Sequence, residues 1–270
     1  MTRVGTPPPL PVRDRTAGQD RTAGALSPML RRLAEEQATG VLVREHGTLY
    51  LAQGRVVHAE SPLAPGLDVL LTAHGTLAAA AWQRAAAQAT GTPDAARLLL
   101  EAGLLPAGAL ELCHLDALYD AGYFALAPSS TPGRFRYDSG SRIGPLSSVP
   151  VIALERETLR RRLLLHRLWP DPAADSVPLI RADPVAAAPV TPRRRAVLDR
   201  VDGVRTAPEI ARNLGRQAFH TLVDVRRLAA AGLLRPVRTA PAPPPPTPPL
   251  TVTDPDIALL KRLRDALEAL

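Results

Sequence analysis

Between residues 40 and 60 apolar and polar positions alternate in three short runs, GVLVREHGTLYLAQGRVVHAE. Val41, Val43, Leu49, Leu51, Val56 and Val57 are the β-branched and aliphatic positions. His46-Gly47 and Gln53-Gly54 are the turn residues. The pattern predicts a three-stranded antiparallel meander, because glycine accepts positive φ at a tight turn without steric cost. Such a meander has a face to bury and cannot bury it alone. The helical patterns that begin at Ser27 and Leu67 are the expected cover.

Most of the remaining pattern is helical. Ser27-Pro28 combines an N-cap with proline at the first helical position, and Leu30, Leu33 and Ala34 form the inward stripe. Further helices are predicted over 67–73, 77–89, 92–102, 106–125 and 150–168, with 133–137 (GRFRY) as a returning strand. Thr191-Pro192 then opens a short helix, and Asp202-Gly203 turns the chain. Thr206 and Glu209 have capping-box spacing at the start of a second helix, which Gly215 ends. A third helix is predicted over 217–231, stopped by Gly232, and 233–236 reads as the start of a wing strand. Near the end, Leu260, Leu263, Leu267 and Leu270 lie on one stripe of an amphipathic helix.

Composition divides this pattern into parts. The 29 prolines in 270 residues gather before residue 25, around 170–192 and at 236–255, and so mark tails and linkers. Residues 1–25, with the duplicated DRTAGQ and DRTAGA, read as a disordered tail. The predicted organisation is a tail (1–25), an α+β domain (26–169), a Pro/Ala linker (170–190), a basic helical domain (191–238), a proline-rich linker (239–255) and a terminal helix (256–270). Aromatic residues are only 3% of the chain, so the core must be built from Leu, Val and Ala.

Charge changes the picture at one place. Residues 191–238 hold eleven arginines against Asp199, Asp202, Glu209 and Asp224, and this excess equals the net charge of +7 of the whole chain. A segment that concentrates arginine this way is a candidate for binding phosphate backbones or acidic surfaces.

Candidate chemistry excludes more than it adds. The single cysteine, Cys113, leaves no intramolecular disulfide and suits a cytosolic protein. There is no apolar leader and no apolar run of ~18 residues, so a cytoplasmic protein without a membrane partner is expected. No GxGxxG, P-loop or GxSxG pattern is present. Cys113 and His114, with Asp116 nearby, could suggest a nucleophile and base. Neighbours on a helix point about 100° apart, and Cys113 reads as a small buried group. His46, His58 and His74 with Glu60 fit no compact zinc spacing. The sequence thus predicts no catalytic residue, no metal and no cofactor.

The ordered set of motifs resembles the PATAN (PatA N-terminal-like) regulatory domain family. The residues that carry the resemblance are TGVL at 39–42, the hairpin LYLAQGRVVHA at 49–59, GLDVL at 66–70 and GRF at 133–135. It spans about residues 26–168 and implies a non-catalytic module that binds a protein partner. In that family a winged helix-turn-helix unit often follows, and the three short helices of 191–238 resemble one. The expected fold class is therefore α+β: a small antiparallel meander covered by helices, then a small helical winged-helix-like domain.

If Phe219, Leu222, Val223 and Leu228 face a core, then Gln217, His220, Thr221, Asp224 and Arg227 face outward, flanked by Arg216 and Arg226. Arg216, Gln217, His220, Thr221, Arg226 and Arg227 form the candidate DNA-binding set. Two readings follow, both non-enzymatic and cytoplasmic. In the first the chain is a transcriptional regulator whose PATAN-like domain binds a protein and whose basic domain binds DNA. In the second it is a signalling adaptor that binds only proteins, a second copy of itself among the candidates.

Overall fold

Residues 40–60 fold as the alternation predicts, into β1 (Gly40–Arg44), β2 (Gly47–Ala52) and β3 (Arg55–Glu60). The computed structural model describes residues 27–73, 75–138, 147–182, 189–237 and 257–268. The expected tail at 1–25, His74 and the linker at 239–255 lie outside the described residues. Two further strands complete an antiparallel sheet in the order β4-β1-β2-β3-β5, with β4 (Arg134–Tyr137) on β1 and β5 (Val149–Pro150) on β3. Across the strands Leu42 stands opposite Leu49 and Phe135, and Leu49 opposite Ala59. These cross-strand pairs are what such a sheet buries.

The second turn is the expected one. Gln53 and Gly54 both have positive φ, at 48° and 73°, as a two-residue turn matched to strand twist requires. The first turn lies one residue earlier than expected, at Glu45-His46, and Gly47 opens β2. Its glycine serves a close approach. A Cβ there would sit 2.5 Å from the Glu60 carbonyl oxygen.

The cover differs in part from the expectation. Helix α1 (Pro28–Glu35) buries Leu30 and Leu33 in the core that also holds Leu42, Leu49, Leu51 and Val56. Ser27 caps it by accepting the Leu30 N–H at 3.3 Å. The helix that begins at Leu67, α2 (Leu67–Thr72), does not cover the sheet. Its Leu67 and Leu71 enter a second core with residues of α3 (Ala79–Gln88), α4 (Thr92–Glu101) and the first turn of α5 (Ala107–Ala125). A helix of under two turns has too little surface to cover three strands. The 19-residue α5 does so instead, packing on β2 and β3 and placing Leu118, Ala121, Phe124 and Ala125 in the main core. Helix α6 (Val151–Leu168) packs on α5 through Leu154 and ties down α1. The Glu155 carboxylate accepts the Ser27 N–H at 3.0 Å and the Arg31 Nε at 2.6 Å.

The stretch expected as a linker carries structure: α7 (Ala173–Ser176) and β6 (Leu179–Arg181). Helices α8 (Pro192–Leu198), α9 (Ala207–Leu214) and α10 (Ala218–Ala230) follow, and β7 (Leu234–Pro236) returns to pair antiparallel with β6. The capping box of α9 forms, with the Thr206 N–H donating to the Glu209 carboxylate at 2.7 Å, and Gly215 ends the helix at φ 60°.

Residues expected as two domains share one hydrophobic core. It runs from Leu30 and Leu49 through Leu154 and Leu165 to Ile210, Phe219, Leu222 and Leu234, and the chain up to Val237 is one compact unit. The reason is α10. Ten of its thirteen residues are buried, so α8 and α9 alone cannot surround it, and α6 supplies the missing side. The second unit begins at Arg238 and contains α11 (Ile257–Glu268), on which Leu260 and Leu267 are exposed. Leu270 lies outside the described residues. No described helix is long and apolar enough to cross a membrane.

Leu51 is fully buried at the centre of the meander. Leu51→Asp places an unpaired charge there, at a cost on the order of 4 kcal/mol. Thermal and denaturant unfolding should show that loss, and wild-type stability in the variant would contradict the register described above.

Candidate functional site

The N-terminus of α10 has no local cap, since the Gln217 side chain makes no capping bond. The acceptor comes from α5. Asp120, fully buried, accepts the N–H of Ala218 at 2.5 Å and of Phe219 at 2.8 Å. A carboxylate at this position satisfies donors that no helical carbonyl reaches and meets the positive end of the helix dipole. Arg161 of α6 completes the junction: it stands 3.6 Å from Asp120, lies 4.5 Å over the Phe219 ring and donates to the Tyr119 carbonyl at 3.1 Å. Burial pushes the Asp120 carboxyl up to about 6, against the pull of the two amides and Arg161. One turn earlier on α5, burial raises the pKa of Asp116 too, against the pull of His220, Gln217 and Arg161.

This docking divides the six candidate DNA-binding residues. Thr221 is buried, with its hydroxyl donating to the Gln217 carbonyl. Arg226 is also buried. It grips Asp175 of α7 with two bonds of 2.7 and 2.6 Å and donates to the Trp169 carbonyl. Both were expected outside. They are inside because α7 and α6 close over the face of α10 that the sequence pattern leaves polar. Asp224, expected outward as well, is buried and pairs with Arg193 at 2.7 Å. Gln217 and Arg216 are half-buried, and Arg216 donates to the Arg193 carbonyl at 3.3 Å. Only His220 and Arg227 of the six are exposed.

These two line one groove of about 440 Å³ between α6, α8 and α10. Helix α6 brings Arg160 and Leu164. The start of α8 brings Thr191, Arg193 and Arg194. Helix α10 brings Phe219, His220, Val223, Asp224 and Arg227. Arg160 is held by Glu157 through bonds of 2.7 and 2.6 Å, which draws the Glu157 pKa down to about 2. Partial burial, then the nearby Arg193 and Arg161, lower the His220 pKa, so its imidazole is neutral at pH 7. Arg194 and Arg227 have no ion pair among the described residues. A second concavity, lined by Ile152, Ala153, Arg156 and Tyr119 among others, shares Arg160 with the first. The basic surface therefore extends from 191–238 onto α6. The run Arg160, Arg161, Arg162 was visible in the sequence, but its place beside α8 and α10 was not.

The other histidines and Cys113 form no comparable site. His58 of β3 and His114 of α5 are buried and stacked, ring centroids 5.8 Å apart, with Tyr50 5.4 Å from His58. Glu60 bonds both the His58 ring, at 3.2 Å, and the Tyr50 hydroxyl, at 3.0 Å. Burial lowers the His114 pKa to about 4 and raises that of Tyr50 to about 12. Cys113 packs against the second core, and burial raises its thiol pKa. Among the described residues no three or more His, Cys, Asp or Glu side chains are placed to hold a metal ion. No family model, no curated protein and no solved structure matches the chain.

Asp120 and His114 bias stability in opposite directions in acid. Asp120 titrates higher in the folded chain than in the unfolded one, so it favours folding as pH falls from about 6 toward 4. His114 titrates lower when folded, so its contribution is complete above about 6.5 and is lost as pH falls toward 4. Asp120→Asn should cost roughly 2 kcal/mol at pH 7, since an amide N–H then faces a backbone donor, and should steepen the loss of stability between pH 6 and 4. His114→Leu should make that loss shallower. Urea midpoints measured across this range check both, and parallel pH profiles for all three proteins would contradict the assignment.

Proposed function

We propose that the chain is a non-enzymatic regulatory protein of the cytoplasm, a signalling adaptor that works by binding a protein partner. The observation that carries this reading is the burial of α10. A helix that reads a major groove offers the side chains of its first turns to base edges. Here Thr221 and Arg226 are buried and Gln217 is half-buried. What remains is a groove with an apolar floor and a basic rim, a surface suited to protein.

The resemblance to PATAN-like modules supports the same reading, since these are interaction modules. The three helices α8–α10 with the β6–β7 ribbon are consistent with a winged-helix-like unit. In this proposal that unit is a packing and docking element.

DNA binding is the second reading, and charge favours it. Arg195, Arg200, Arg212, Arg227 and Arg235 are exposed. Anisotropy titrations of the full chain against two unrelated duplexes, across a salt series, separate the readings. Contacts to phosphate alone bind both duplexes equally, with log K falling by about 0.9 per contact against log salt. The adaptor reading expects this or no binding, and no effect of Gln217→Ala on preference. A preference for one duplex that Gln217→Ala relaxes by ~1–3 kcal/mol would restore the transcriptional reading.

A further inference from the structure

We propose that the groove between α6, α8 and α10 receives an acidic, amphipathic peptide segment of a partner protein. The inference deepens the adaptor reading and rests on it. The floor is apolar, made by Leu164, Phe219 and Val223, and the rim carries Arg160, Arg193, Arg194 and Arg227. An occupant must bring apolar side chains to the one and carboxylates to the other.

The arrangement of charge selects peptide over nucleic acid. Two of the rim arginines already carry an acid: Arg160 holds Glu157 and Arg193 holds Asp224. A phosphodiester backbone is charged at every nucleotide and would bring phosphate against Asp224. A peptide can set an apolar residue there and reserve its carboxylates for Arg194 and Arg227, which have no ion pair among the described residues. The neutral His220 beside them offers a hydrogen bond without adding charge.

The same pattern continues past Arg160. The adjoining concavity combines Ile152, about half exposed, and Ala153 with Arg156. Arg156 also has no ion pair among the described residues. The bound segment therefore extends along α6, with its acids spaced to meet Arg227 or Arg194 at one end and Arg156 at the other.

The test is selection of a displayed random-peptide library on the full chain, in parallel with an Arg194→Glu/Arg227→Glu double variant. Unchanged thermal unfolding shows the variant to be folded. The expected result is enrichment of sequences that mix Asp or Glu with Leu, Ile or Phe. Synthetic copies should bind the wild-type chain, lose roughly tenfold or more in affinity on the double variant, and weaken on Arg156→Glu. Replacing their apolar positions with Ser should weaken them by a similar factor. Equal binding to wild type and double variant would overturn the groove assignment and leave the adaptor reading standing. Acid-only peptides that bind as well as the mixed ones would overturn the role of the floor, and with it the proposal. Failure to enrich any peptide would overturn the proposal outright. If that failure came with sequence-preferring duplex binding, the adaptor reading would fall too.

Discussion

Two backbone amides at the start of α10 donate to one buried carboxylate, Asp120 of α5, and the placement of α10 depends on that contact. A buried carboxylate is costly unless its oxygens are satisfied. Here both oxygens are taken by N–H groups that the helix itself leaves without partners, and Arg161 stands close enough to offset the charge. The contact fixes the position and direction of α10 relative to α5 and α6. Phe219 then falls under the Arg161 guanidinium, and Leu222 and Leu228 enter the core shared with the sheet. With α10 held there, Arg226 reaches Asp175, and α7 closes the far side.

The functional consequence is a redistribution of positive charge. Arginines that look alike in the sequence do different work. Arg226 is a structural clamp, Arg193 neutralises Asp224, and Arg205 pairs with Asp202 at the turn before α9. Within the groove, the charge left for a partner is that of Arg194 and Arg227, and Arg156 of α6 adds to it in the adjoining concavity. A strongly basic segment thus becomes a mixed surface, in which acids and apolar groups break up the positive field.

What the sequence made legible was local. The Gln53-Gly54 turn, the Ser27 cap, the capping box of Thr206 and Glu209, and the glycine stops at Gly215 and Gly232 are decided within a few residues, and each forms. The alternation in 40–60 was sufficient to set the meander, although the need of Gly47 for space beside Glu60 was hidden by its resemblance to a turn residue. The contacts that place the helices are long-range and were not legible. Asp120 meets its amides 98 and 99 residues away along the chain, and Arg226 meets Asp175 across 51. A polar stripe on α10 looked like a solvent face because no pattern in its own residues shows that α6 and α7 cover it. One signal was present: two carboxylates four residues apart, Asp116 and Asp120, in the apolar second half of the helix.

Native-state hydrogen exchange at the first amides of α10 tests the central claim most directly. If Asp120 holds this helix end inside the shared core, the Ala218 and Phe219 amides open only with the whole unit and exchange as slowly as those of Leu49 and Leu51 in the meander. Exchange at the rate of a frayed helix end, with the meander still protected, would show that α10 is not held by α5 and would contradict the account.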